Sequence, residues 1–228
     1  YLIPYHYLDI YSDEHKLLHH VPYLDRITKA LDIGIQGNVL DIGCGDGRLI
    51  FEGQKYKKYR KFVGIDYSIN AIKFARIINK DADFYIEDLT SLNSNLDIKD
   101  FDNIFCLETL EHIQIDKIDN FLRNCESLLN ENGLAIFSVP SSFFPCEEKH
   151  YQHFSEYDLY NLLSKYFKVV KIFGLENQKG FKKIIINFYF RVSKLFFPLR
   201  HLKFFNYLSK IYYNNYKLIS EGNTNTCS

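Results

Sequence analysis

Val39 to Ile50, VLDIGCGDGRLI, constrains the fold more than any other stretch of the chain. Val39-Leu40-Asp41-Ile42 is a short apolar run with one acid, the pattern of a strand buried in a parallel sheet. Gly43, Gly45 and Gly47 follow at alternate positions, and Leu49-Ile50-Phe51 then open a helix. A turn this rich in glycine lets backbone N–H groups approach a ligand with no Cβ in the way. Strand, glycine turn and helix in that order are the usual cradle of a nucleotide-like group at the carboxyl edge of a sheet. For the glycines alone, a plain tight turn without a ligand stays open.

Further runs repeat the pattern. Phe62 to Asp66 (FVGID) reads as a second buried strand ending in an acid. It lies roughly 20 residues past the glycine turn, where a ribose-binding carboxylate belongs. Asp83 to Leu89 (DFYIEDL) predicts a third strand and Phe101 to Leu107 (FDNIFCL) a fourth, which runs into Glu108-Thr109-Leu110-Glu111-His112. Ser68 is placed to cap a helix over Ile69 to Ile78. Asp116 to Asn130 predicts an amphipathic helix with Ile118, Phe121, Leu122, Cys125, Leu128 and Leu129 inward. Asn132-Gly133 predicts a turn, Leu134 to Val139 a fifth strand stopped by Pro140, and Phe167 to Phe173 a sixth. The basic loop Lys55 to Arg60 (KYKKYR) reads as a solvated helix end before the second strand, ahead of a nucleic-acid contact.

As an ordered set over Asn38 to Val170, these motifs resemble the class I S-adenosylmethionine (SAM) methyltransferases. The resemblance implies an α/β fold: a Rossmann-like, seven-stranded, mostly parallel sheet with helices on both faces. A helical C-terminal insertion or appendage would follow, with the seventh strand at Tyr213 to Ser220 in preference to Lys183 to Phe190. It also implies a SAM site, with S-adenosylhomocysteine as product, built from Asp41, Gly43, Cys44, Gly45, Asp66, Tyr67, Asp88, Leu89, Leu107 and Glu108. In that site Asp41 offsets the positive charge of SAM, Asp66 takes the ribose diol, Tyr67 lies against adenine, and Asp88 and the Leu89 N–H read the adenine edge. For Asp41 and Asp88, a purely local role as acceptors in their own turns stays open.

Glu108 to His112 reads E-x-x-E-H. A helical turn there would bring Glu108 onto one face with Glu111 and with His112. The motif resembles two branches of the superfamily: the ubiquinone-pathway O-methyltransferases, and the small-RNA 3′-end 2′-O-methyltransferases, which add a downstream histidine. The second branch implies a set of Glu108, Glu111, His112 and His153 for Mg²⁺ or Mn²⁺. The alternative is a loop without metal, in which the acid orients the histidine. Downstream, His150-Tyr151-Gln152-His153-Phe154-Ser155 precedes a capped helix start at Ser155 to Asp158. His150, His153 and His112 are the candidate catalytic groups, because imidazole titrates near neutral pH and can take a hydroxyl proton. A structural histidine bonded to loop carbonyls is the competing reading.

The expected organisation is a helical cap over residues 1–37, a SAM-binding core over 38–178, a basic aromatic insertion with the last strand over 179–220, and a flexible tail over 221–228. In the cap, a helix starting near Asp13 breaks near Pro22 and resumes at Tyr23. His15, His19 and His20 there read as solvated surface before ligands. From Lys179 to Asn215 eight lysines and arginines interleave with phenylalanine and tyrosine, and no acid occurs. That composition suits a membrane-surface patch, a lid over a greasy acceptor, an RNA-tracking surface, or an ordinary helical subdomain. Over the whole chain, 28 Lys and Arg balance 28 Asp and Glu, which argues against nucleic acid as partner. The five cysteines form no C-x-x-C pair, which fits reduced thiols. With no apolar run of about 18 residues, the expectation is a cytoplasmic protein, with peripheral contact at the inner membrane face through 179–215. The expected activity is O-methylation of a small-molecule hydroxyl on a sugar, a lipid-linked glycan precursor or a quinone-like ring. Methylation of an RNA 3′-terminal ribose and non-catalytic SAM-dependent regulation are the alternatives.

Overall fold

A computed structural model of the chain describes residues 2–7, 21–91, 98–168 and 171–174. The chain divides into two compact units, Tyr1–Tyr5 with Arg26–Phe173 and His6–Asp25 with Gly174–Ser228. In the second unit, His6 stacks on Tyr23 with ring centroids 4.6 Å apart. The first unit holds the sheet.

Helix α1 runs Val21–Ile33, strand β1 Gly37–Ile42, helix α2 Arg48–Gly53, β2 Tyr59–Asp66, α3 Ile69–Ile78, β3 Asp83–Ile86 and β4 Phe101–Leu107. After two short 3-10 turns, Leu110–His112 and Ile115–Lys117, come α4 Ile118–Leu128, β5 Leu129–Ser138 and α5 Glu156–Leu163. The strand order is β3-β2-β1-β4-β5, and every pairing is parallel. The order reverses between β1 and β4, so the carboxyl ends of those two strands flank the switch-point crevice where such sheets bind ligands.

Alternation along the strands sorts the two faces. Leu40, Ile42, Val63, Ile65, Ile104 and Cys106 share one core with Ile118, Phe121, Leu122, Cys125 and Leu128 of α4. Each fully buried leucine, isoleucine, valine or phenylalanine among them contributes about 1.5–3 kcal/mol. On the other face, the Tyr59 ring meets Phe62 and Phe105 edge-on, and its hydroxyl donates to the Leu31 carbonyl of α1 at 2.6 Å. Buried Asn103 holds the α1–β1 connection by accepting from the Ile35 N–H and donating to the Ile35 carbonyl. Helices therefore cover both faces. Ser68 caps α3 by accepting from the Ala71 N–H, and Ser155 caps α5 by accepting from the Asp158 N–H.

Several expectations are corrected. Helix α1 begins at Val21 with Pro22 in its first turn, where proline's missing N–H has no helical partner to lose; the helix expected to start near Asp13 lies outside the described residues. KYKKYR is a turn whose Tyr59 and Arg60 already belong to β2. The third strand stops at Ile86. The predicted 116–130 helix opens as a 3-10 turn and ends at Leu128; Leu129 already pairs with Phe101. Asn132-Gly133 is a bulge inside β5, where the register shifts between the Phe101–Leu129 and Asn103–Leu134 pairs. At Gly133 a Cβ would lie 2.9 Å from the Phe101 carbonyl oxygen, an approach only glycine allows. Phe167, Lys168 and residues 171–173 join no strand. The sheet thus has five strands among the described residues. Both candidates for a seventh strand, the 179–220 insertion, the tail, and His15, His19 and His20 lie outside them.

Candidate functional site

The turn after β1 is pinned to the end of β2. The Gly43 and Cys44 N–H groups both donate to the Ile65 carbonyl, at 2.8 and 3.0 Å. The Gly45 N–H donates to Asp66 Oδ2 at 2.9 Å, and the Ser68 N–H to Asp66 Oδ1 at 2.8 Å. One carboxylate therefore fixes both the turn after β1 and the turn after β2. Gly43 has φ +72°, and a Cβ there would lie 2.3 Å from Thr109 Oγ1, so the turn presses directly against the segment following β4. Gly47, at φ +82°, packs where a Cβ would meet Asn79 Nδ2 at 2.6 Å.

Three carboxylates crowd this turn, and Asp41, Asp46 and Asp66 are all buried. Burial pushes the Asp41 carboxyl well above the usual carboxylate range, and the charges of Asp66 and Asp46 add to the effect. Asp41 Oδ2 is buried and has no hydrogen-bond partner among the described residues. An anionic pocket with an unsatisfied acceptor fits a cationic group with N–H donors. The Cys44 thiol is also pushed up, chiefly by burial and then by Asp41, so it stays protonated.

The remaining cofactor candidates fall around this turn in different ways. Tyr67 follows Asp66 and is 79% exposed. Asp88 is exposed, and its Oδ1 accepts from the N–H and hydroxyl of Thr90, so in this state it caps its own turn. Leu89 is buried in the core, and its carbonyl accepts from Asn124. The Leu107 carbonyl, at the end of β4, accepts from the Thr109 hydroxyl.

E-x-x-E-H is not one helical turn. Glu108 has φ +51°, and the 3-10 turn begins only at Leu110. Glu108 therefore leaves the face it was expected to share with Glu111. Its Oε1 accepts from the Ser138 hydroxyl at 2.8 Å, and its Oε2 lies 3.6 Å from Arg26 Nη2. Glu111 turns inward and is 1% exposed. Burial raises its pKa to about 8, its Oε2 has no partner among the described residues, and its Oε1 lies 3.9 Å from His112 Nε2.

The loop after β5 brings the other histidines here. Ser142 and Phe154 close it, the Ser142 N–H donating to the Phe154 carbonyl and the Phe154 N–H to that of Pro140. The Tyr151 N–H donates to the Glu111 carbonyl, which docks the loop on the E-x-x-E-H segment. His150 meets His112 edge-on with ring centroids 4.7 Å apart. His150 Nδ1 lies 2.8 Å from His153 Nε2, and His153 Nδ1 lies 3.1 Å from the Phe144 carbonyl. Burial, then the neighbouring His112, lower the His150 pKa. Glu111, His112 and His150 each offer a ligand atom within 4.8 Å of the other two. His150 thus joins the cluster where His153 was expected, and Glu108 lies outside it.

Arg26, Asp46, Thr109 and Ser138 were not singled out from the sequence. Asp46, within the glycine run itself, was the one with a visible signal. Arg26 and Ser138 reach Glu108 from α1 and from the end of β5, at sequence separations that no local pattern spans.

Residues 40–135 match the family model described as a methyltransferase domain. A ubiquinone biosynthesis O-methyltransferase of Histophilus somni is 31% identical over 113 residues, which is 46% of this chain and 46% of that protein. The chain thus spans about half the length of the curated relatives it matches. Among solved structures, N-methyltransferase NodS of Bradyrhizobium japonicum superposes with a TM-score of 0.58 at 18% identity, covering 71% of this chain and 92% of that one. Small RNA methyltransferase HEN1 superposes with a TM-score of 0.55 at 23% identity, covering 63% of this chain and 21% of that one. These two likenesses concern the fold.

Proposed function

We propose, on the premise that the chain belongs to the class I SAM-dependent methyltransferases, that it moves a methyl group from SAM to a hydroxyl oxygen of a small molecule. The observation that carries the reading is the union, at one switch point, of an anionic glycine nest with a carboxylate–histidine cluster at the end of the neighbouring strand. SAM, when bound, supplies an electrophilic methyl on a sulfonium.

The chain's own residues then have separable tasks. Asp41, with its unpartnered Oδ2, balances positive charge and accepts from the ammonium. Asp66 holds the turn, and its carboxylate, set beside the glycine nest, takes the ribose diol. Glu108, fixed by Ser138 and Arg26, shapes the wall between the nest and the acceptor side. The Glu111–His112–His150 cluster lowers the cost of removing the acceptor's proton, while alignment of donor and nucleophile supplies most of the rate. A sugar, a lipid-linked glycan precursor or a quinone-like ring is the acceptor class. The relatives carrying an O-methyltransferase name support oxygen as the nucleophile. The 179–215 composition supports an acceptor presented at an anionic lipid surface.

Calorimetry with SAM and S-adenosylhomocysteine, followed by methyl transfer to a panel of these hydroxyl acceptors, tests the reading. Micromolar binding of both, with product formed on at least one hydroxyl, is expected. A chain indifferent to both nucleosides sinks it.

A further inference from the structure

We infer that Glu111, His112 and His150 bind a borderline divalent cation, Zn²⁺ or its analogue Co²⁺, and that His153 orients the His150 ligand.

The hydrogen-bond order of the cluster assigns every ring proton. The Phe144 carbonyl can only accept, so His153 Nδ1, 3.1 Å away, carries a proton. An imidazole that gives its single ring proton from Nδ1 to a carbonyl keeps its lone pair on Nε2, so His153 Nε2 accepts and His150 Nδ1, 2.8 Å from it, donates. The lone pair of His150 is then on Nε2. The Lys149 carbonyl, 3.0 Å from His112 Nδ1, fixes that ring in the same sense. Both imidazoles thus present an Nε2 lone pair while donating their other N–H to a fixed acceptor, the arrangement that orients metal-bound histidines.

The third donor is Glu111. Its carboxylate is withdrawn from water and one oxygen has no partner among the described residues. A buried carboxyl with an unpartnered oxygen beside two lone-pair nitrogens makes a donor set that a bound cation would satisfy. Bonds of about 2.0–2.2 Å put tetrahedral neighbours about 3.4 Å apart. Glu111 Oε1 and His112 Nε2 are already 3.9 Å apart, so a small side-chain rotation closes the site. Two nitrogens and one oxygen suit Zn²⁺ over Mg²⁺, which takes oxygen ligands, and leave a position open. This set departs from the Mg²⁺ or Mn²⁺ set of Glu108, Glu111, His112 and His153. Only the use of the ion as a Lewis acid toward the acceptor hydroxyl rests on the methyl-transfer reading; its binding does not.

Titration of the metal-free full chain with Co²⁺ tests the site. One equivalent should develop the visible absorption of a four- or five-coordinate centre. His112→Ala and His150→Ala should each abolish it at stoichiometric metal. His153→Ala should weaken binding about 10–100-fold, and His153→Gln, whose carbonyl can accept from His150, should restore much of it. Glu108→Gln should bind as the parent does. Absence of the band, its survival in the His112→Ala, His150→Ala double variant, or its loss in Glu108→Gln overturns the assignment. S-adenosylhomocysteine affinity measured on the same proteins separates failure of this site from failure of the nucleoside nest.

Discussion

Asp41 sits under two opposed demands. Its buried carboxyl has a raised pKa, so the folded chain holds that proton more tightly than the unfolded chain does. The group's contribution to stability is fully present below the unfolded value of about 4 and is lost as pH rises toward the folded value. Without cofactor, Asp41→Asn should therefore melt higher than the parent at pH 7, by roughly 2–4 °C for each kcal/mol of relieved charge burial. The advantage should shrink as the pH falls to about 4. S-adenosylhomocysteine should bind the variant more weakly. Thermal melts across this pH range, paired with calorimetry, check both; equal melts at pH 7 would show that the carboxylate is already compensated. Asp66 is the simpler case. Asp66→Ala removes the acceptor of two backbone donors, each such charge-assisted bond being worth about 1.5–3 kcal/mol. Nucleoside affinity should fall on the order of 100-fold or more, and affinity within a factor of three of the parent would place the ribose elsewhere.

Elements that follow a single period were legible from the chain, and those that need a distant partner were not. The helix over Ile69–Ile78 has its predicted bounds, because Ser68 and the apolar spacing are local signals. The inward face of α4 is likewise the one its spacing specifies. The E-x-x-E-H segment failed as a helix because Glu108 is drawn by Ser138 of β5 and by Arg26 of α1. The Asn132-Gly133 bulge failed as a turn because the Phe101 carbonyl of β4 lies against it. At the site, the acids and glycines could be read individually, but the exchange of His153 for His150 in the cluster depends on how the Ser141–Phe154 closure presents the loop. The contact between the glycine turn and the β4 exit was equally invisible, and it has a measurable cost. Gly43→Ala meets both a positive φ and Thr109 Oγ1. It should destabilise the fold by about 1–3 kcal/mol in urea. Adding Thr109→Ala should recover only the steric share, and full recovery would mean that the backbone conformation carries no strain.

Across the whole molecule, charge is balanced but unevenly distributed. Lys179 to Asn215 carries eight lysines and arginines against no acid, so the rest of the chain has a net surplus of eight acidic residues over basic ones. No helix among the described residues is long and apolar enough to cross a membrane. Membrane contact through this basic segment would rest on surface attraction, worth about 1 kcal/mol per cation near an anionic leaflet and decaying within a Debye length of about 10 Å at 0.1 M salt. Aromatic side chains interleaved with the cations add an apolar anchor that salt does not screen. These two terms separate experimentally. The full chain should float with vesicles containing phosphatidylserine, lose most of that binding when salt is raised toward 1 M, and bind neutral vesicles only weakly. A chain lacking residues 179–215 should stay unbound under every condition while S-adenosylhomocysteine calorimetry reports whether its core is intact. Equal flotation with and without the segment, on a core that still binds the nucleoside, would remove the lipid surface from the proposal and leave a freely diffusing acceptor.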